Sequence, residues 1–336
     1  MKILVLVFSL FSRFVSRIKN FLYDVNILKP KRAPLPVISV GSIFLGGTEK
    51  TPLAMEILGW LLERGRRPAL VSRGYRGQWE KEGGLVSNGA GLFASWEQSG
   101  DEPLMVARAI PRAGVFVGKD RLDSCRRAKD MGFEIAVLDD GFQHRRLGRD
   151  LDIVIYSPRE RTALREPRSS LKRADIILIK EGDVSGSTAA KILGHAQKDI
   201  FSYAVLGKGL YHLWKNESLA DETLAKKRVL AFCGIARPER FFSQLEGAGA
   251  RIVSRLAFPD HHPYPDSSLD KIIRRLKASG AEAAVTTEKD ALKILGSRGH
   301  FEGFPVYCLT IGLRIEPEFY ARLDAFIEES LRLKSL

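Results

Sequence analysis

Apolar runs rich in β-branched residues at 36–40, 69–72, 114–117, 135–138, 152–156 and 175–179 alternate with helix-patterned stretches at 52–64, 102–109 and 120–131. A continuous apolar strand must be covered on both faces, and joining two parallel strands takes a crossover of about a dozen residues. The alternation therefore predicts an α/β fold, a parallel sheet with helices packed on its faces. After a less regular stretch at 181–228, a second series is expected: strand 228–233, helix 238–247, strand 251–257, helix 267–278, strands 283–286 and 305–310, and helix 317–333. A chain of 336 residues is long for one compact unit. We expect a larger lobe over 31–205, a connector over 206–227, and a smaller α/β lobe over 228–336 that closes a cleft.

Ligands in such folds gather at the carboxyl ends of strands, and two ends carry chemistry. The run Ile135-Ala-Val-Leu138 leads into Asp139-Asp140-Gly141-Phe142-Gln143-His144, where adjacent carboxylates suit a hard cation such as Mg²⁺. Neighbouring strand residues point to opposite faces, so joint chelation needs a backbone bend, for which Gly141 is the candidate. A solvated or capping role is the alternative. The run Val37-Ile-Ser-Val40 leads into Gly41 and on to Gly46-Gly47-Thr48-Glu49-Lys50-Thr51-Pro52, which has the look of a phosphate loop, with Lys50 for phosphate and Thr51 for the metal. Two positions depart from the usual pattern, Phe44 at the first glycine and Glu49 before the lysine. Glu49 is the serious one, because a side chain there adopts φ > 0 poorly and brings negative charge toward phosphates. On spacing alone, an ordinary turn entering a helix at Pro52 competes with phosphate binding.

Net charge is +13, and residues 1–32 and 145–173 supply +6 and +5 of it. A local positive field favours an anionic partner. Tyr156, within an apolar run, is the one aromatic residue in 145–173, too few for a series of stacking platforms, so a phosphorylated substrate or an anionic membrane surface is expected and nucleic acid is not. Cys125, Cys233 and Cys308 are odd in number and far apart, which argues against a disulfide framework or a zinc site and fits a reducing cytoplasm.

The apolar stretch 3–12 is half the length of a membrane span, about 20 residues, and no small-x-small cleavage site follows it. At helical spacing Val7, Leu10, Phe11, Phe14, Ile18, Phe21 and Leu22 form one stripe with Arg13, Arg17 and Asn20 opposite. Residues 1–30 thus read as an amphipathic helix lying in the membrane interface; packing on the protein's own core is the alternative.

Two more clusters stand out. Ser99-Gly-Asp101-Glu102-Pro103 puts two acids at a helix start, where capping alone could explain Asp101. Phe258-Pro-Asp260-His261-His262-Pro263 puts histidines on a proline-bounded loop, and i,i+1 neighbours rarely share one metal ion. An acid from one lobe orienting a histidine from the other would make a general-base pair on closure.

Across nearly its whole length the chain resembles the tetraacyldisaccharide 4'-kinase family, the lipid A 4'-kinases of Gram-negative bacteria. The resemblance runs in order through Pro36-Val-Ile-Ser-Val-Gly41, Gly46-Gly-Thr-Glu-Lys-Thr-Pro52, Ser72-Arg-Gly-Tyr75, Gly100-Asp-Glu-Pro103, Leu138-Asp-Asp-Gly-Phe-Gln-His144, Arg149-Asp-Leu-Asp152 and Leu164-Arg-Glu-Pro167. It continues through Gly234-Ile235, Pro238-Glu-Arg-Phe-Phe242, Phe258-Pro-Asp-His261 and Thr286-Thr-Glu-Lys-Asp290. It implies a P-loop NTPase-like lobe, a smaller second lobe, and attachment as a peripheral or monotopic protein to the cytoplasmic face of the inner membrane. It also implies transfer of the γ-phosphate of ATP to the 4'-hydroxyl of an acylated, 1-phosphorylated glucosamine disaccharide.

Carried over by position, Gly46, Gly47, Thr48, Glu49, Lys50 and Thr51 form the nucleotide loop, with Lys50 on the β/γ-phosphates. Thr51, Asp139, Asp140 and Gln143 would serve Mg²⁺. Asp101 would take the hydroxyl proton with His261 as its partner, and Arg73, Tyr75, His144, Arg149 and Arg165 would meet the substrate. Phosphoryl transfer relies on positioning and charge neutralisation, which this set can supply. Where the family reads Gly-Gly-Thr-Gly-Lys-Thr, Glu49 replaces a glycine, Ser42 replaces an asparagine, and the stretch before Leu164 lacks the family's Pro-Ala-Gly. The competing expectation is a catalytically weak relative that binds the acylated sugar with a loop spoiled by Glu49. A nucleic-acid-dependent ATPase has only net charge in its favour.

Overall fold

The computed structural model describes residues 18, 20–44, 46–157, 164–183, 199–215, 217–219, 224–225 and 227–334. The stripe residues Val7, Leu10, Phe11 and Phe14 lie outside this set. The chain forms two compact units that interleave in sequence, unit 1 from 1–99, 106–205 and 313–336, and unit 2 from 100–105 and 206–312.

In unit 1 the strands are β1 (Val37–Ser42), β2 (Pro68–Ser72), β3 (Gly84–Asn88), β4 (Gly114–Val117), β5 (Ile135–Leu138), β6 (Leu151–Tyr156), β7 (Ile176–Lys180) and the first half of β8 (Asp199–His212). Their order is β8-β7-β6-β1-β5-β2-β4-β3. Every pairing is parallel except β3 on β4. β1, β2, β5 and β6 are buried along their whole lengths, which is why they appear in the sequence as unbroken apolar runs. Helices α1 (Lys50–Glu63) and α3 (Arg121–Asp130) are crossovers between parallel strands, while α2 (Asp101–Ala109, whose first turn clusters with unit 2) lies between the antiparallel β3 and β4; Asp120 caps α3 through Leu122 N and Asp123 N.

Unit 2 carries parallel strands in the order β11-β10-β12-β13, where β10 is Arg228–Cys233, β11 Arg251–Ala257, β12 Ala283–Thr287 and β13 Val306–Ile315. Side chains of β10 alternate between two cores. Leu230 and Phe232 pack with Tyr264, Leu269 and Ile272, while Val229, Ala231 and Cys233 pack with Phe241, Phe242 and Leu245. Helices α4 (Pro238–Gly247) and α5 (Asp266–Ser279) cover these faces, and the short α6 (Glu288–Ala291) follows β12 directly.

Most predicted elements are observed, with two exceptions. β8 is a 14-residue strand, and β9 (Glu217–Leu219) pairs with its end, where an irregular stretch was expected. Much of β8 is half-buried and Gly207, Lys208 and Gly209 interrupt it, so it lacks the continuous apolar signal of its neighbours. β3 is an antiparallel edge strand containing Gly84, Ser87 and Asn88, residues of low strand propensity.

Candidate active site

β1 and β5 are hydrogen-bonded neighbours, with Ser39 opposite Leu138, so their carboxyl ends bring residues 43–44 and 46–49 beside loop 139–144. Two glycines allow that approach. A Cβ on Gly41 would sit 2.4 Å from Phe142 Cβ, and one on Gly141 would sit 2.7 Å from Ser39 Oγ. Gly141 N donates to Val40 O at 2.9 Å, and Gln143 Nε2 donates to Ser42 O at 3.0 Å. The bend expected of Gly141 is made by Asp140 itself, which is left-handed at φ 55, a conformation aspartate tolerates better than most residues.

This bend separates the two carboxylates. Asp139 Oδ2 accepts from Thr51 Oγ1 at 2.9 Å, placing a hydroxyl and a carboxylate together at the start of α1. Asp140 faces cations instead, Lys50 Nζ at 2.9 Å and Arg165 Nη1 at 2.6 Å. Burial raises the Asp140 carboxyl, but these two charges outweigh it and hold the group well below the usual range.

The loop preceding α1 turns through left-handed residues at Gly46 (φ 73), Gly47 (φ 45) and Glu49 (φ 48). The Thr48 hydroxyl is buried, with 5% of the residue exposed, and finds no hydrogen-bond partner among the described residues. An orphaned donor beside a helix N-terminus fits an oxyanion. Glu49 stands where φ > 0 is required, and its carboxylate receives a long contact from Tyr203 Oη at 3.4 Å. Glu49→Gly should stabilise the fold by about 1 kcal/mol by removing the left-handed penalty, and should tighten binding of a phosphate-bearing ligand at this loop. Thermal unfolding and ligand titration check both, and an unchanged affinity would show that Glu49 does not burden phosphate binding.

The predicted substrate contacts fall into different settings. Arg73 reaches Glu80 at 2.6 Å, Tyr75 is exposed, and His144 is half-buried on the loop after Asp140. Arg165 is held by Asp140. The nearly buried Arg149 shares its Nε–H between the two carboxylate oxygens of Asp152 at 2.8 and 2.9 Å and donates from Nη1 to His144 O, so it braces the 144–149 loop.

Sequence reasoning overlooked Arg121, the first residue of α3. It is buried, donates to Gly118 O at 2.9 Å, and leaves Nε with no acceptor among the described residues. Burial lowers its guanidinium to about 10, opposed by the charges of Asp140 and Asp139. A single arginine at a helix start carries no pattern that would distinguish it in the sequence.

Unit 2 holds the second cluster, again at strand ends. The chain leaves β10 at Gly234, β11 toward His261 and β12 into α6. Gly234 O accepts from His261 N at 3.1 Å, and Gly234 N donates to Asp290 Oδ2 at 2.9 Å. Asp101, at the start of α2, caps Glu102 N at 3.0 Å, yet its carboxylate also meets His261 Nδ1 at 2.9 and 3.1 Å. The acid and the histidine were expected from different lobes; both belong to unit 2 and already touch. His262 turns away to Ser268 Oγ at 2.8 Å, so the adjacent histidines do separate jobs.

Lys289 and Lys293 complete the cluster. Lys293 Nζ is 3.0 Å from Asp101 Oδ2, and Lys289 Nζ is 3.2 Å from Glu102 Oε1. Burial raises the Asp101 carboxyl, but the His261 hydrogen bond and the charges of Lys289 and Lys293 hold it well below the usual range. The segment Thr286-Thr-Glu-Lys-Asp290 carried family resemblance without an assigned role, and Lys293 had no signal of its own.

A family model described as Tetraacyldisaccharide-1-P 4'-kinase matches residues 1–328. The tetraacyldisaccharide 4'-kinase of Syntrophus aciditrophicus is 38% identical over 335 residues, covering 93% of this chain and 89% of the relative. That of Pelobacter propionicus is 39% identical, covering 86% and 82%. Among solved structures, the Aquifex aeolicus LpxK in complex with ATP matches with a TM-score of 0.75 at 28% identity, covering 97% of this chain and 98% of that one.

Proposed function

The chain belongs to the tetraacyldisaccharide-1-P 4'-kinase family, and from that membership and the two side-chain clusters we infer that it transfers the γ-phosphate of ATP to the 4'-hydroxyl of a tetraacyldisaccharide 1-phosphate, a step of lipid A biosynthesis. The observation that carries the reading is the hydrogen-bonded pair of Asp101 and His261, a carboxylate kept ionised beside an imidazole, as hydroxyl activation needs.

Unit 1 supplies the nucleotide side. Lys50 neutralises the β/γ-phosphates, helped by the N-terminus of α1 and the buried Thr48 hydroxyl. Thr51 and Asp139 offer a hydroxyl and a carboxylate, hard oxygen donors of the kind Mg²⁺ takes. No group of three or more His, Cys, Asp or Glu placed to hold a metal ion is found among the described residues. That fits an ion which keeps few protein ligands and completes its shell with water and phosphate. Thr51 and Asp139 would hold it, and it would neutralise charge developing on the transferred group. Asp140, already paired with two cations, orients Lys50 and Arg165, and Gln143 braces the loop through Ser42.

In unit 2, Asp101 takes the 4'-hydroxyl proton with His261 as its partner. Arg73, Tyr75 and His144 are the candidate contacts for the disaccharide headgroup, and Arg165 and Arg121 add positive charge near Asp140. Matching kinases across the whole chain favour this activity over a binding-only role.

Membrane attachment at the cytoplasmic face of the inner membrane is part of the same reading. No helix among the described residues is long and apolar enough to cross a bilayer. Ile18, Phe21, Val25, Ile27 and Leu28 are exposed, Phe21 at 61% and Ile27 at 67%, a run that suits an interfacial surface. This segment is tied to unit 1 through Asn20 on Glu166 at 2.9 Å and Arg145 on Asp24 at 2.8 Å. Deleting residues 2–12 should shift the protein from the membrane pellet to the supernatant; unchanged sedimentation would remove the interfacial role.

The activity is tested with γ-labelled ATP, Mg²⁺ and 1-phosphorylated tetraacyl disaccharide in detergent micelles. Label should appear at the 4'-position and be insensitive to nuclease. Lipid binding without transfer would overturn the kinase reading in favour of a binding protein.

A further inference from the structure

Lys289 and Lys293 lie four residues apart on the helical path that leaves β12, so both project from one side of it toward Asp101 and His261. Lys293 has only 1% of its side chain exposed, a setting in which an ammonium persists only when paired. Its partners are Asp101 Oδ2 at 3.0 Å and Asp290 Oδ1 at 3.8 Å. Asp290 is itself fixed by Gly234 N at 2.9 Å and Thr287 Oγ1 at 2.7 Å. The carboxylate of Asp101 is therefore tied, through Lys293 and Asp290, to the ends of two central strands.

Lys289 does a different task. Its ammonium is surrounded by Glu102 at 3.2 Å, Asp260 at 3.7 Å and Asp101 at 3.9 Å, and it lies 3.3 Å from His261 Nε2, nearer than Asp260 Oδ2, which at 3.7 Å from the same nitrogen is beyond hydrogen-bond reach. Burial opposes its charge, but the three acids outweigh burial and raise its pKa. An ammonium has only donors, so a hydrogen bond to Nε2 requires a lone pair on that nitrogen. The ring proton then sits on Nδ1, where it donates to Asp101 at 2.9 Å. His261 also has φ 64, so its backbone is held in an uncommon conformation that fixes where the ring emerges.

We propose that Lys289 and Lys293 are positioning residues for the Asp101–His261 pair: Lys293 pins the carboxylate, and Lys289, by donating to Nε2, fixes His261 as the Nδ1-protonated neutral tautomer. The arrangement leaves Asp101, the anionic member, as the group that meets the acceptor hydroxyl. Its kinetic consequences rest on the proposed roles of Asp101 and His261, whereas the tautomer does not.

The test uses the full chain in detergent micelles with ¹⁵N-labelled histidine, the His261 signals being assigned by their loss in His261→Gln. Native protein should show a protonated Nδ1 and an unprotonated Nε2. In Lys289→Met the ring should move to a mixture of tautomers, with kcat falling at unchanged KM for ATP, and Lys289→Arg should restore both readouts. Lys293→Met keeps length and removes charge, so the acid limb of kcat should move up in pH as Asp101 loses a buried counter-charge while Lys289 and His261 remain. A native tautomer in Lys289→Met overturns the assignment to Lys289 even if the protein proves to have no kinase activity. An unmoved acid limb in a folded Lys293→Met protein overturns the assignment to Lys293.

Discussion

Asp101→Asn should lower kcat by roughly 10²–10⁴-fold, the range for removing a general base, with KM for ATP unchanged. Asparagine keeps the shape of the side chain and can still face His261, but it carries no charge and cannot accept the proton. It also leaves Lys293 with Asp290 as its remaining acid within 4 Å, so some loss of stability accompanies the loss of rate. The two effects separate with pH. Asp101 is held below its ordinary value in the folded protein, so its stabilising contribution is full above the unfolded pKa, about 3.9, and is lost as pH falls through the lower folded value. Native and variant proteins should therefore differ most in melting temperature near neutral pH and converge in acid. The rate defect should persist throughout the range where both remain folded. A variant retaining native kcat at neutral pH would remove Asp101 from the chemistry.

Lys50→Met should reduce kcat/KM for ATP by roughly 10²–10³-fold, the scale of losing one donor aimed at developing charge. Methionine preserves the unbranched stem, so the start of α1 should be undisturbed, while the ammonium that faces Asp140 at 2.9 Å is gone. Arg165 still holds Asp140 at 2.6 Å, which keeps that carboxylate paired and limits the structural cost. Binding of the acylated disaccharide, measured without nucleotide, should be unchanged. Native kcat/KM for ATP in the variant would mean that Lys50 serves only to neutralise Asp140.

The residues of the proposed nucleotide side could be listed from the sequence because they are local in it. Glycines, lysine and threonine follow β1 within one loop, Asp139 and Asp140 follow β5 directly, and only the adjacency of the two strands had to be supplied by the fold. What sequence could not separate was the work of the two aspartates, since their division depends on the left-handed turn at Asp140 and on Arg165 arriving from 25 residues away. Arg149 shows the converse. Its motif pointed to substrate, but its geometry commits it to Asp152 three residues on.

By itself the sequence determined the α/β class, the order of most strands and helices, the family, and the loops proposed here to carry phosphate and metal chemistry. These follow from apolar periodicity and from residues close together along the chain, where local geometry is nearly dictated by composition. Tertiary structure alone decided that Asp101, His261, Lys289 and Lys293 form one charged cluster. Their contacts span up to 192 residues of chain between Asp101 and Lys293, and a buried lysine is stable only when a specific fold delivers its acids. It also decided that β8 is a long strand, because half-buried positions interrupted by glycine gain strand structure from neighbours on a sheet and not from their own pattern.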